Sequence, residues 1–176
     1  MSQYRDSADT TGGDRPDEIT RAGIGPEIGS QAPDLRAPST VHQTLDLERF
    51  EQRVPVVIVF AIGLDDPATV ISQLDSVHAE FGHARVQLLA VFDLPIGQLL
   101  EAADGTNVPF IADPDRHLAE QYVVPVGRDR VTVVVLDLDS TVVDVIELSV
   151  VGDLGGALGA LVRAGGSPAV ARLADR

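Results

Sequence analysis

Runs of β-branched residues alternate along this chain with segments of helical periodicity, and this alternation constrains the fold more than any other feature. The first run, 54–60 (VPVVIVF), is apolar without interruption, which is typical of a strand covered on both faces. Asp66 and Pro67 then supply an N-cap side chain and a proline at the first helical position. Apolar residues follow at helical spacing as far as Gly82: Val70, Ile71, Leu74, Val77 and Phe81. The sequence therefore predicts a buried strand followed by a helix that packs on it.

The same alternation continues through the middle of the chain. The run 86–92 (VQLLAVF) predicts a second buried strand, and Asp93 with Pro95 predicts the start of another helix. A short strand is predicted at 108–112, and Asp113-Pro114 repeats the capping signature before a short helix. The residues expected to face the core are Ile96, Leu99 and Leu100 in the first of these helices, and Leu118, Ala119 and Tyr122 in the second.

Two further β-branched runs flank a short polar segment near the end of the chain. Residues 131–136 and 142–148 lie on either side of 137–141 (DLDST), which predicts an antiparallel hairpin. A last helix is predicted from 153 to 163, and its glycines are expected to allow close packing on the sheet. Its expected buried residues are Leu154, Ala157, Leu158, Leu161 and Val162. This order predicts an α/β fold: a central mixed sheet, helices on both faces, a closing antiparallel hairpin and a C-terminal helix.

Composition divides the chain into one folded domain and two terminal segments. Residues 1–27 are rich in Asp, Thr, Gly, Arg and Pro without periodicity, which predicts a disordered acidic leader. The domain is predicted to span 28–165, and residues 166–176 are expected to form a C-terminal tail. No stretch resembles the apolar core of a signal peptide or the roughly 20 apolar residues of a membrane span, so the expected location is cytoplasmic.

The charge of the chain limits the partners that it is expected to bind. The formal net charge is −14, and all 13 basic residues are arginine. Because an acidic surface repels phosphate backbones and anionic headgroups, nucleic acid and membranes are not expected as partners. The four histidines, His42, His78, His83 and His117, have no metal-ligand spacing, and no nucleotide-binding loop is present, so neither a metal nor a cofactor is expected.

Four short motifs occur in order along the predicted domain. They are 28–35 (IGSQAPDL), 44–50 (TLDLERF), 113–122 (DPDRHLAEQY) and 131–139 (VTVVVLDLD). Together they resemble the redoxin group, namely peroxiredoxins of the alkyl hydroperoxide reductase and thiol-specific antioxidant (AhpC/TSA) family. The resemblance implies a thioredoxin-like fold over about residues 28–165.

The resemblance ends at the residues that would carry the family's chemistry. Peroxiredoxins have a Pro, a Thr and the peroxidatic Cys at the start of the first helix, and these align with Ile62, Asp66 and Thr69. The family's activating Arg aligns with Val131, one residue after Arg130. The chain contains no cysteine. Because a threonine hydroxyl neither ionises in this setting nor forms a sulfenic acid, thiol peroxidase and disulfide exchange activities are excluded by chemistry. The polar residues expected around the vestigial pocket are Asp65, Asp66, Thr69 and Arg130.

A second motif points to a different chemistry. The segment 133–141 (VVVLDLDST) matches the hhhhDxDxT signature of haloacid dehalogenase phosphotransferases, in which the first Asp attacks phosphorus beside Mg²⁺. In that family the motif opens the domain and a lysine follows, whereas here about 35 residues remain and the chain has no lysine. The favoured interpretation is therefore a polar hairpin turn, and phosphoryl transfer through Asp137 is a remote alternative.

Three functional hypotheses follow from the sequence. The first is a redoxin-like protein without thiol chemistry that serves as an interaction or structural module, with the segments 63–69 and 124–131 and the loop after Phe92 as its contact surface. The second is a binder, or an enzyme of non-thiol chemistry, that uses the vestigial pocket, and the third is the phosphotransferase. A homodimer, or a hetero-oligomer with a cysteine-containing redoxin, is the expected assembly.

Overall fold

The secondary structure of the domain follows the predicted order. The computed structural model describes residues 23–41 and 43–163, the last three by backbone alone. The strands are β1 Arg36–Ala37, β2 Leu45–Asp46, β3 Val56–Ala61, β4 Gln87–Phe92, β5 Phe110–Ala112, β6 Arg130–Leu136 and β7 Val142–Ser149. The α-helices are α1 Pro67–His83, α2 Ile96–Ala102, α3 His117–Gln121 and α4 Leu154–Arg163, and a 3-10 turn spans Leu47–Phe50. Among the described elements, the sequence did not predict the pair β1–β2 or the 3-10 turn that follows it.

The main sheet has five strands in the order β5-β4-β3-β6-β7. Strands β3, β4 and β5 run parallel to one another, whereas β6 is antiparallel to both β3 and β7. All six residues of β3 are buried, as expected for an apolar run at the centre of a sheet that is covered on both faces. The mixed sheet and the closing hairpin are therefore confirmed.

Alternate residues of the sheet belong to two separate cores. Val57 and Val59 face α1, α2 and α4 in one core, whereas Ile58 and Phe60 face α3 and the β1–β2 segment in the other. In the second core the rings of Phe60 and Tyr122 lie 5.0 Å apart between centroids. Because strand side chains alternate between faces, one apolar run supplies both cores.

Two residues expected in the core lie on the surface. Leu100 is 51% exposed, because Leu99 takes the inward position of the seven-residue helix α2 and the next residue is rotated by about 100°. Ala157 of α4 is also exposed. Both expectations of burial were wrong, whereas Leu154 and Leu158 are buried as predicted. Leu161 and Val162 lie outside the described side chains.

Close packing of α4 is directed at a helix rather than at the sheet. The Gly155 N–H donates to Gln73 Oε1 of α1 at 3.0 Å. A Cβ at Gly155 would lie 3.1 Å from the Gln73 carbonyl oxygen and 3.1 Å from the Ser76 hydroxyl. Gly155 therefore permits a close approach of α4 to α1, and for this glycine the expectation of close packing on the sheet was wrong.

The ends of the described region bear on the predicted domain boundaries. Residues 23–27, assigned from the sequence to the leader, are described, and the Gly25 N–H donates to the Val123 carbonyl at 2.9 Å. The rest of the leader and the tail 166–176 lie outside the described residues and stay predictions. Across 23–41 and 43–163, the helices are all too short or too polar to cross a membrane.

Candidate functional site

Backbone groups of the loop after β3 make hydrogen bonds to two other segments of the chain. Gly63 has a φ of +74°, in the left-handed region that favours glycine, and its N–H donates to both carboxylate oxygens of Asp93 at 3.2 Å. The carbonyl of Ile62 accepts from the Gly127 N–H at 2.9 Å. A Cβ at Gly63 would lie 2.3 Å from Cγ1 of Val126. The loop is thereby fixed between the segments that follow β4 and precede β6.

Asp93 connects this loop to the start of α3. Its carboxylate accepts from the Arg116 guanidinium, with Nε and Nη2 each 3.0 Å from Oδ2. Arg116 has a φ of +58° immediately before α3. Asp93 was predicted to cap α2, but that helix has no side-chain cap. Sequence reasoning missed this role because both partners of Asp93 are distant along the chain.

Asp66 and Thr69 form a self-contained cap on the first turn of α1. One Asp66 oxygen accepts from the Thr69 N–H at 3.3 Å, and the other accepts from the Thr69 hydroxyl. The hydrogen bond from the Thr69 hydroxyl, followed by that from its N–H, holds the pKa of Asp66 below its ordinary value. A carboxylate with a lowered pKa is a weak base, so this pair does not activate the hydroxyl as a nucleophile.

Asp65, on the same loop, pairs with Arg128 in the segment before β6. Its carboxylate accepts from Arg128 Nε at 3.2 Å, and its N–H donates to the Arg128 carbonyl at 3.2 Å. The two side chains are 65% and 80% exposed, respectively. Because solvent screens such a pair, the backbone hydrogen bond fixes the loop more firmly than the ion pair does.

Arg130 lies on the other face of the sheet from α1. Its Nη1 is 3.5 Å from Oε2 of Glu147 on the neighbouring strand β7. The next residue, Val131, faces the α1 core and is 1% exposed. Since successive strand residues point to opposite faces, the one-residue offset from the family's Arg position places Arg130 away from Asp66 and Thr69. Of the four predicted pocket residues, the structure brings together Asp66 and Thr69, sets Asp65 beside them on the loop, and directs Arg130 elsewhere.

The opening motif and the α3 motif meet in the second core. The Tyr122 hydroxyl donates to the Pro33 carbonyl at 2.6 Å. Burial, and then the charge of Asp34, raise the pKa of Tyr122. Asp113 is buried and accepts from the N–H groups of Leu118 and Ala119 at 3.1 and 3.0 Å. These contacts make the two motifs parts of one packed unit.

The acidic turn between β6 and β7 uses its first carboxylate to close itself. Oδ1 of Asp137 accepts from the N–H groups of Asp139 and Thr141, each at 2.9 Å. Ser140 has a φ of +57° in the same turn. This is the hairpin role favoured from the sequence, in which the Asp137 carboxylate is the acceptor that closes the turn. Among the described residues, no three His, Asp or Glu side chains gather as metal ligands would.

The sheet order, with helices on both faces and an antiparallel closing hairpin, defines a thioredoxin-like protein of the peroxiredoxin type. The chain belongs to the AhpC/TSA family, whose model matches residues 28–145. The resemblance carried by the four sequence motifs is therefore confirmed. A search of curated proteins finds no match.

Solved structures share the fold at low sequence identity. Peroxidoxin BcpB of Mycobacterium tuberculosis is 21% identical with a TM-score of 0.65, and the match covers 80% of this chain and 97% of that one. Thioredoxin peroxidase I of Plasmodium yoelii is 18% identical with a TM-score of 0.67, covering 84% and 90%. A putative protein disulfide isomerase of Bacteroides thetaiotaomicron is 18% identical with a TM-score of 0.61, covering 81% and 91%. At these identities the likeness establishes the fold alone.

Proposed function

We propose that this chain is a non-catalytic member of the AhpC/TSA family that acts as an interaction or structural module. The observation that carries the proposal is the contact at the first turn of α1. There a threonine hydroxyl, at the position aligned with the family's nucleophile, donates to the carboxylate of Asp66. The scaffold of the family is retained, while the reactive atom is replaced by a group that caps a helix.

The chemistry of the substitution supports this proposal. A thiol peroxidase needs a thiolate that attacks the peroxide and becomes a sulfenic acid, and disulfide exchange needs a pair of thiols. The chain has no cysteine. The position aligned with the activating Arg is Val131, a buried apolar side chain, so no cation replaces it on the α1 face at that position.

Use of the vestigial pocket by another chemistry has less support. Asp65 pairs with Arg128 and Arg130 pairs with Glu147, so the four candidate residues do not converge on one point. If the pocket nevertheless binds a small ligand, replacing Asp66 and Thr69 with alanine should abolish that binding. Unchanged binding in this variant would dismiss the pocket as a ligand site.

The proposed contact surface surrounds the fixed loop after β3. It comprises 63–69, 124–131 and the loop after Phe92, and it includes Val126, whose side chain is 55% exposed and contacts the Gly63 region. A partner that covers Val126 would remove this exposed apolar side chain from water, which favours association. We propose a cysteine-containing redoxin or a second copy of the chain as that partner, in the cytoplasm.

The experiment mixes this protein with the cysteine-containing AhpC/TSA proteins of its own cell and measures complex formation by sedimentation. Val126→Asp should weaken the complex by roughly tenfold or more. Val41→Asp is the matched control, because Val41 is also an exposed valine but lies near the amino end of β5, whereas the loop follows the carboxyl end of β3. Equal effects of the two substitutions would remove the assignment of the surface, and hydroperoxide turnover by this protein alone would overturn the proposal.

A further inference from the structure

A groove of about 340 Å³ lies beside the C-terminal end of α3. Most of its wall is apolar, and among the described residues that line it Glu120 alone is charged. The groove is lined by residues that include Gly23, Ile24, Glu120, Val123, Val124 and Pro125. We call this feature the α3 groove.

A strained valine forms part of the α3 groove. Val123 follows α3 with a φ of +53°, a left-handed conformation that is unusual for a β-branched residue. The Val124 N–H donates to the Ala119 carbonyl at 2.8 Å and the Val123 N–H to the Glu120 carbonyl at 3.1 Å, which is the Schellman pattern of helix termination. Glycine or asparagine suits this position better. The chain instead keeps a valine there, half-exposed, with its side chain in the groove wall.

The undescribed N-terminal part of the chain begins at this same wall. Gly25 is anchored by its N–H to the Val123 carbonyl at 2.9 Å, and Gly23 and Ile24 line the groove. A Cβ at Gly25 would lie 2.5 Å from Val145 Cγ1, so the anchored backbone is held closely against β7. Since four residues span at most about 14 Å, Ile19 is within reach of the groove.

The sequence just before Gly23 matches the groove in character. Residues 18–22 read Glu-Ile-Thr-Arg-Ala, and Ile19 is the only Ile, Leu, Val or Phe among the first 22 residues. Arg21 lies two residues from the groove wall, which contains the carboxylate of Glu120. We propose that residues 18–22 dock in the α3 groove, with Ile19 against Val123 and Val124 and Arg21 paired with Glu120. The groove shares Val124 and Pro125 with the proposed contact surface, but the inference does not depend on the proposed function.

Absence of native cysteine allows a direct test in the full chain, because two introduced thiols are then the only ones present. Ile19→Cys combined with Val124→Cys should form a disulfide within one chain under mild oxidation. The matched control combines Tyr4→Cys with Val124→Cys, since Tyr4 lies outside the docking segment. The longer tether to Tyr4 by itself slows closure of the control roughly sevenfold, so a docked segment should make the first disulfide form roughly a hundredfold or more faster than the control. A difference of about tenfold or less, or a disulfide between two chains, would overturn the proposal.

A charge exchange tests the polar half of the contact. Arg21→Glu in the Ile19→Cys/Val124→Cys background should slow disulfide formation about twofold or more, and adding Glu120→Arg should restore it. Glu101→Arg is the control, because Glu101 is an exposed glutamate on α2. The pairing of Arg21 with Glu120 is supported if Glu120→Arg restores the rate of disulfide formation and Glu101→Arg does not. Equal restoration by both, or by neither, removes that pairing from the proposal.

Discussion

Substituting Gly63 with alanine tests whether the loop after β3 is fixed as the structure describes. The φ of +74° costs an L-residue about 1–2 kcal/mol relative to glycine. The added Cβ would lie 2.3 Å from Val126 Cγ1 and must displace that side chain. Such overpacking costs about 1–3 kcal/mol, at the lower end here because Val126 is half-exposed and can rotate. Gly63→Ala should therefore lower the free energy of unfolding by about 2–4 kcal/mol.

Equilibrium unfolding in urea, followed by circular dichroism, measures this difference. With a urea dependence of about 2 kcal/mol per molar, the midpoint should fall by roughly 1–2 M. The matched control is Gly82→Ala near the end of α1, where a Cβ meets nothing within 4 Å and a helical glycine gives way to alanine. That variant should be stabilised by about 0.5–1 kcal/mol. Adding Val126→Ala to Gly63→Ala should recover the steric part of the cost and leave the backbone part.

The loop is not fixed by Gly63 if Gly63→Ala and Gly82→Ala have the same stability within about 0.5 kcal/mol. The loop would then tolerate a side chain, and the hydrogen bonds from Gly63 to Asp93 would not define its conformation. A full recovery by Val126→Ala would show instead that backbone strain contributes nothing.

Three further predictions concern the caps of α1 and α3. Asp113→Ala should lower the free energy of unfolding by about 2–3 kcal/mol, because two buried N–H groups lose a charged acceptor. Asp115→Ala, at an exposed position, should change it by less than about 0.5 kcal/mol. Similar values for the two variants in urea unfolding would show that Asp113 does not cap α3. In Thr69→Cys, the Asp66 carboxylate should keep the thiol pKa near or above the ordinary value of about 8.5, and adding Asp66→Asn should lower that pKa. The pH dependence of thiol alkylation measures the pKa in both variants. A Thr69→Cys thiol that already reacts at pH 6 while Asp66 is present would contradict this prediction. Because the pKa of Asp66 is lowered in the folded state, its contribution to stability should be fully present above the ordinary value of 3.8 and be lost as the pH falls through the lower folded value. The wild type should therefore have a higher free energy of unfolding than Asp66→Asn at pH 6, and this difference should shrink below pH 3.8. A difference that grows on acidification would show that the pKa of Asp66 is not lowered by folding.

Local patterns in the sequence were enough to predict most elements of the fold. The uninterrupted run that became β3 carries its own signature of two-sided burial, and the cap at Asp66 is formed within a single helical turn. The hairpin of β6 and β7 was equally local, since Asp137 closes the turn with N–H groups two and four residues away. The Asp66 cap of the candidate site is local in the same way, whereas Thr69 was assigned to the site through the resemblance to the AhpC/TSA family.

Features that depend on distant partners could not be predicted in this way. Asp93 has the sequence context of a helix cap, but its carboxylate is taken by Gly63 and Arg116 from two other segments. The direction of Arg130 depends on the strand register, and an offset of one residue decides which face it occupies. The two-residue strands β1 and β2 are too short to leave a periodic signal.

The oxygen contact at the start of α1 has a consequence for any assembly in which this protein takes part. A hydroxyl hydrogen-bonded to a carboxylate does not respond to hydroperoxides or to reductants, so this turn keeps one conformation across redox conditions. If a complex with a thiol-bearing relative strengthens or dissociates when oxidant is added, the change does not originate at this turn. The start of α1 would then present the same contact surface to the relative before and after oxidation.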